Sequence, residues 1–396
     1  MRRCARSIVF VLVLAGVLFC PVPSTYAVIV NGENAKDLLG QFSTQSTDTT
    51  PSYTTHCIEN GASPIGFANN AGIQSNQIPY GVAFDFTNHW LFATDSYNGR
   101  ILVFPLNSST NLVSSKTPSY YLNVSSSISC VPLTNFYDPA GLAVDPVNHW
   151  LYAGASYNGV VYVFNTSSMS TGETPSYVLG DTSMGNYTTG TTQSKMNGPT
   201  ALALDVANQL LYVADSGNNR VMVFPAKGNA SWGGNGENAL YELGVPNGAG
   251  DFTTQGSAAA TQSTFGPVGL AYDSTNQLLY VSDGNNNRVL VFPAYGNGSW
   301  GGNGENATYV LGQSNFTNNS INEGNNNYYP SQSSMWYPSD VAVDPAHNLV
   351  YVGDMTNGRI MVFSTVSLSN GENATAVLGE PNFVTGWRNQ GSGGNT

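Results

Sequence analysis

Residues 199–224 read PTALALDVANQLLYVADSGNNRVMVF, and the reading of this stretch decides the fold. Three short apolar runs, Ala201–Leu204, Leu210–Val213 and Arg220–Phe224, are separated by Asp205–Asn208 and Ser216–Asn219. Runs this short are strands rather than helices, and the Asn, Gly and Asp between them select hairpins. The same sentence recurs as PYGVAFDFTNHWLFATDSYNGRILVF from Pro79 and PAGLAVDPVNHWLYAGASYNGVVYVF from Pro139. It returns as PVGLAYDSTNQLLYVSDGNNNRVLVF from Pro267 and PSDVAVDPAHNLVYVGDMTNGRIMVF from Pro338. A fourth run follows in several copies: Ala239–Leu243 before Gly244, Thr308–Leu311 before Gly312, and Tyr177–Leu179 before Gly180. Four antiparallel strands repeated around an axis make a propeller, which leaves only short, protected sheet edges.

Written with φ for an apolar residue, the copies run Pro-x-Gly-φ-Ala-φ-Asp, Leu-Tyr-Val-x-Asp and Asn-x-Arg-φ-φ-Val-Phe. This pattern resembles the NHL-repeat family over residues 31 to 379, and the resemblance implies a propeller of about six blades. The sequence itself supplies five three-strand cores but six fourth strands. The signature NGENA…LG stands at Asn31–Gly40, Asn235–Gly244, Asn303–Gly312 and Asn370–Gly379, and looser forms end at Asn123 and Gly180. Two arrangements meet this count. The N-terminal copy closes the ring against the last blade and leaves the C-terminal copy surplus, or both belong to an incomplete sixth blade. The expected fold is therefore an all-β propeller of four-stranded antiparallel blades over residues 28–380, with five clear blades and a partial sixth. Residues 381–396 form a Gly/Asn-rich tail where a further repeat would begin.

The first 27 residues read as an export signal. Arg2, Arg3 and Arg6 precede an apolar run from Ile8 to Phe19, and Thr25-Tyr26-Ala27 offers a cleavage site after Ala27. That run is too short to span a bilayer. A lipoprotein reading would use Cys20, but Val17-Leu18-Phe19 puts bulk where a small residue is needed. Removing the signal leaves nine basic against 24 acidic residues, a net charge of −15. That charge argues against nucleic acid or an anionic membrane as partner, and against the RNA binding of some intracellular members of the family. The expected location is secreted, periplasmic or cell-surface, without membrane insertion. Cys57 and Cys130, the two cysteines of the mature chain, are a candidate disulfide in an oxidising compartment.

Four sets of residues carry candidate chemistry. Asp95 and Arg100, Asp215 and Arg220, Asp283 and Arg288, and Asp354 and Arg359 flank the second hairpin of four copies. The remaining copy has Ala155 and Val160 instead, and concerted loss of both members marks each Asp as the partner of its own Arg, a structural clamp. The aspartates ending the first run, at 85, 145, 205, 273 and 344, precede turns whose N–H groups a carboxylate caps. His89, His149 and His347 fall in the first hairpin turns, far apart, and leave only His56 near the channel mouth. Zinc chemistry needs about three converging ligands, so the zinc-dependent lyases of this architecture are a poor match. Asp340 replaces the Gly81, Gly141, Ala201 and Gly269 of the other copies. It is the one candidate metal ligand, for calcium, which takes about 6–8 oxygens. Trp232 and Trp300, in Gly/Asn-rich loops, are candidate surface aromatics. Sequons at Asn107, Asn123, Asn186 and Asn306 matter only in a glycosylating host.

No catalytic set converges in this reading, and no cofactor is called for. The expected function is an exported, non-catalytic binding propeller that displays variable top-face loops to a protein or glycan. The alternative is a metal-assisted hydrolase or lyase at the channel mouth, resting on Asp340 and architectural analogy.

Overall fold

The computed structural model describes residues 80–386 apart from 97–98, 116, 124–138, 186, 227–233, 246–249, 299 and 325–328. Within them, 20 strands build five four-stranded antiparallel sheets, each a meander in chain order. The first blade is β1 (Val82–Asp85), β2 (Trp90–Asp95), β3 (Arg100–Pro105) and β4 (Tyr120–Asn123). The second is β5 (Pro139–Asp145), β6 (Trp150–Ala155), β7 (Val160–Asn165) and β8 (Tyr177–Leu179). The third is β9 (Pro199–Asp205), β10 (Leu210–Asp215), β11 (Arg220–Pro225) and β12 (Tyr241–Leu243). The fourth is β13 (Pro267–Asp273), β14 (Leu278–Asp283), β15 (Arg288–Pro293) and β16 (Tyr309–Leu311). The fifth is β17 (Pro338–Asp344), β18 (Leu349–Asp354), β19 (Arg359–Ser364) and β20 (Ala376–Leu378).

The middle strands read as unbroken apolar runs because both of their faces are covered. Every residue of β6, β10 and β14 is buried. One face of each packs on the preceding blade and the other on the following one. Four hydrophobic clusters result, one at each junction between consecutive blades. The innermost strands pack in the same order, β1 on β5, β5 on β9, β9 on β13 and β13 on β17, and no comparable packing joins β17 to β1.

The flank of the fifth blade and the innermost strand of the first are correspondingly exposed, although Leu91, Ala93, Leu102 and Phe104 of the first blade are buried in a cluster of their own. Ile360 is 40% exposed, whereas Val289, its counterpart in the fourth blade, is fully buried. Val82 is 57% exposed, against 5% for its counterpart Leu270.

The C-terminal NGENA copy corrects both sequence-based arrangements. It is neither surplus nor part of a sixth blade: β20 pairs with β19 and completes the fifth. The leftover copy is the N-terminal one, Asn31–Gly40, which lies outside the described residues. Five blades are seen rather than six, since all 20 described strands are used and a sixth sheet would need more. The export signal, His56 and the candidate Cys57–Cys130 pair also fall outside the described residues.

The fourth strands begin later than the apolar runs suggest, at Tyr241 and Tyr309 rather than Ala239 and Thr308. The backbone of Ala239 is already engaged elsewhere. Its N–H donates to the carbonyl of Gln193 and its carbonyl accepts from Gln193 Nε2. No helix of the described residues is long and apolar enough to cross a membrane.

Candidate functional site

The inter-blade loops and the hairpins between second and third strands share one face, called the top here. The buried Asp/Arg pairs stand beneath it. Arg100 Nε meets Asp95 Oδ2 at 2.6 Å, Arg220 meets Asp215 at 2.8 Å, and Arg288 meets Asp283 and Arg359 meets Asp354 at 2.7 Å. The antiparallel register sets these contacts, because each Asp lies directly opposite its Arg across the hairpin. In the second blade Ala155 and Val160 occupy the same opposed positions, both fully buried.

Each carboxylate has further work. Asp215 Oδ1 accepts the Asn197 N–H at 2.6 Å, Asp283 that of Gly266 at 3.0 Å and Asp354 that of Trp336 at 2.8 Å. Asn218, Asn286 and Asn357, each three residues after its Asp, donate to the same carboxylates. Burial still pushes Asp215, Asp283 and Asp354 above the usual carboxylate range, against the pull of the arginines.

The rest of each guanidinium reaches the loops. Arg220 donates to the carbonyls of Thr192 and Lys195 in the incoming loop and to Phe252 in the outgoing loop. Arg288 does the same with Thr264 and Phe316, and Arg359 with Ser331, Ser334 and Phe383. In the third blade Glu242, also fully buried, joins Arg220 at 2.9 Å. One side chain thus staples the loop entering its blade to the loop leaving it. A guanidinium suits this task, since its five N–H donors lie in one rigid plane. On this base stand exposed apolar and aromatic side chains: Tyr157 and Met355 in hairpins, Met184 and Tyr329 in inter-blade loops.

A family model for the NHL repeat matches residues 196–224 and 266–292, the inner three strands of the third and fourth blades. Human NHL repeat-containing protein 2 is 28% identical over 165 residues, which cover 39% of this chain and 21% of that protein. The chicken protein of the same name is 30% identical over 99 residues, covering 25% and 12%. The chain carries NHL repeats in its third and fourth blades. It spans about a fifth or less of the length of these curated relatives. A chain from the crystal structure of a nidogen/laminin complex superposes with a TM-score of 0.41 at 12% identity, over 77% of this chain and 86% of that one.

The other charged positions of the NHL repeats sit at the opposite rim or alone. Asp85, Asp145, Asp205 and Asp273 are fully buried at the ends of the innermost strands. Each caps turn N–H groups and accepts from an Asn side chain three residues on, as Asn208 does at 2.7 Å with Asp205. In the fifth blade His347 takes the Asn place and meets Asp344 at 2.5 Å. His89 and His149 hold left-handed positions of their own turns, with φ of 63° and 59°. A cleft of about 330 Å³ lies at this rim between Asn148, His149, Trp150, Ser167 and Tyr177. Among the described residues, no group of three or more His, Cys, Asp or Glu is placed to hold a metal ion.

The column containing Asp340 has a packing cause. A Cβ on Gly141 would lie 2.6 Å from Ala201 Cα, and one on Gly269 would lie 2.7 Å from Asp340 Cα. The innermost strand of the next blade passes too close for a side chain. Asp340 itself is exposed on the open flank of the fifth blade, where it accepts the Val341 N–H at 2.9 Å. Crowding by the inner strands nonetheless pushes its carboxyl up to about 6. A carboxyl raised in the folded state adds stability below its unfolded pKa of about 3.9, and loses it as pH rises through the folded value. Asp340→Asn is expected to flatten the fall in Tm between those two pH values. Parallel curves for variant and wild type would show that Asp340 is fully hydrated.

Trp300 is part-buried and packs edge-on against Tyr241 of the third blade, with ring centroids 5.6 Å apart. Trp232 lies outside the described residues. Sequence reasoning missed two classes of structural residue: the loop carbonyls gripped by each Arg, and the Gln193, Gln262 and Gln332 that hold Ala239, Ala307 and Ala374. The sequence did carry a signal for the glutamines, since each stands three residues before the Met or Phe that plugs the blade junction.

Proposed function

We propose that this NHL propeller is an exported, non-catalytic binding scaffold whose top-face loops take a protein or glycan ligand. The arginine staple is the observation that carries this reading. Loops that differ in sequence from blade to blade are held at fixed points by Arg220, Arg288 and Arg359, so their tips are presented on a rigid base. Binding loops on a rigid scaffold are the common arrangement for recognition. Tyr157 is 62% exposed and Tyr329 63%, with Met184 and Met355 also open to solvent. Tyrosine and methionine are enriched at protein interfaces, which favours a protein within this class. The acidic net charge and the export signal read from the sequence favour a ligand outside the cell and disfavour nucleic acid.

Purified mature protein can be screened against a glycan panel and against the secreted proteins of its own source. Any ligand found is expected to bind the Tyr157→Ala/Tyr329→Ala variant at least about tenfold more weakly, as for buried aromatic anchors. Undiminished binding by the double variant would contradict the proposal.

A further inference from the structure

In the second to fifth blades a glycine follows the outer strand, and the residue after it is Asp181, Val245, Gln313 or Glu380. All four are buried. Val245 is apolar and needs no partner. The Asp181 carboxylate accepts the N–H groups of Thr182 and Thr188, and the ammonium of Lys195 stands 2.6 Å from its Oδ2. Gln313 Nε2 donates to the carbonyls of Asn287 at 3.0 Å and Ser320 at 2.9 Å, and only its neutral Oε1 lacks a partner. Glu380 is the exception. It is 1% exposed, and neither of its carboxylate oxygens has a hydrogen-bond partner.

The loop around Glu380 repeats the loop around Gln313. Gly312 and Gly379 share a φ of 86°. Asn315 Oδ1 caps the N–H groups of Thr317 and Asn318, and Asn382 Oδ1 caps those of Val384 and Thr385. Phe316 and Phe383 both give their carbonyls to the arginine of their own blade. The Asn287 carbonyl lies 3.0 Å from where a Cβ on Gly312 would stand, and the Gly358 carbonyl 3.1 Å from that point on Gly379. Glu380 thus holds the Gln313 place, and Gly358 O holds the place of Asn287 O. The counterpart of Ser320 lies outside the described residues.

The exchange of amide for carboxylate removes the donor. Where Gln313 offers N–H groups to a carbonyl, Glu380 offers only oxygens. Arg359, the cation of the same blade, is committed to Asp354, Ser331, Ser334 and Phe383. A buried carboxylate without donor or counter-charge is among the costliest groups a fold can hold. The second blade shows how the same position is made tolerable, since there a cation meets Asp181.

We propose that a calcium ion binds at Glu380, held by the carboxylate and by the Gly358 carbonyl, with water completing its shell. The ligands are all hard oxygens, and calcium accepts them in flexible geometry, whereas magnesium demands a near-ideal octahedron. A proton on Glu380 would supply one O–H, where Gln313 supplies two N–H groups. With one carboxylate the affinity belongs to the weak class, with a Kd of about 0.1–1 mM. The ion would tie the loop leaving the fifth blade to the hairpin between β18 and β19, as Gln313 ties the fourth.

Thermal unfolding in EDTA, in calcium and in magnesium tests the site, with equilibrium dialysis of radiolabelled calcium to count ions. At about 10 mM calcium the wild-type Tm is expected to rise by about 3 °C, and magnesium should do much less. Glu380→Gln restores the amide of the fourth blade. It is expected to melt above the wild type in EDTA, to ignore calcium and to lose the bound ion. Glu380→Val, the residue type of the third blade, should lose the ion as well, and Asp340→Asn should keep it. A calcium response shared by wild type and Glu380→Gln would place the ion elsewhere and overturn the proposal. Absence of calcium binding by the wild type would overturn it too. So would a wild-type Tm that rises on acidification and not with calcium, since a proton would then occupy the site.

Discussion

Asp283→Ala is expected to cost about 3–5 kcal/mol of stability, and adding Arg288→Val to recover most of that loss. Both partners are fully buried and 2.7 Å apart. Burial raises the Asp283 carboxyl and lowers the Arg288 guanidinium, so each charge is held at the expense of its hydration. Removing one member leaves the other buried without its counter-charge. Removing both leaves a small apolar pair of the kind the second blade already uses, Ala155 opposite Val160. The fourth blade suits this cycle better than the third, where Glu242 would be stranded beside the lost Arg220. Denaturant unfolding of the wild type, both single variants and the double variant gives the coupling energy. Additive single effects would mean that the carbonyls of Thr264 and Phe316, rather than Asp283, are the chief partners of Arg288.

Gly141→Val is expected to destabilise by about 3 kcal/mol, at the upper end for overpacking. The added Cβ would meet Ala201 Cα at 2.6 Å and the Thr200 carbonyl at 2.7 Å. Both are backbone atoms of the next innermost strand, so relief requires the second and third blades to part. The equivalent change in the fifth blade, Asp340→Val, has no following innermost strand to meet and should carry no such overpacking penalty. Thermal unfolding of the two variants compares closed and open junctions directly. Equal costs would show that the fifth blade is covered as tightly as the others.

What the sequence made legible were the features whose partners lie close by in the chain. The opposition of Asp215 and Arg220 follows from five residues of hairpin, and blade two's paired loss exposes it. The turn-capping Asp205 and Asn208 are three residues apart. The hydrogen bonds from the Val178, Glu242 and Val310 N–H groups to Asn235, Asn303 and Asn370 were not legible, because Asn235 and Val178 are 57 residues apart and the donors are backbone. Any residue type supplies that N–H, so no pattern at Val178, Glu242 or Val310 announces it. The loop carbonyls held by Arg220 and Arg288 escape notice for the same reason. Asp340 stands out in the sequence as a carboxylate in a column of small residues. Its cause is geometric: Gly141 and Gly269 are small because a neighbouring strand presses on them, and Asp340 stands at the end of the array.

The central claim is that the stapled loop face, and not the opposite rim, receives the ligand. A photo-crosslinking residue placed at Tyr157, at Tyr329 and, for comparison, at Val147 tests it most directly. Val147 is as exposed as Tyr157, at 62%, but lies at the other end of the same blade. With the secreted proteins or glycans of its source present, adducts are predicted from positions 157 and 329 and not from 147. Adducts confined to position 147, or equal at all three, would contradict the account.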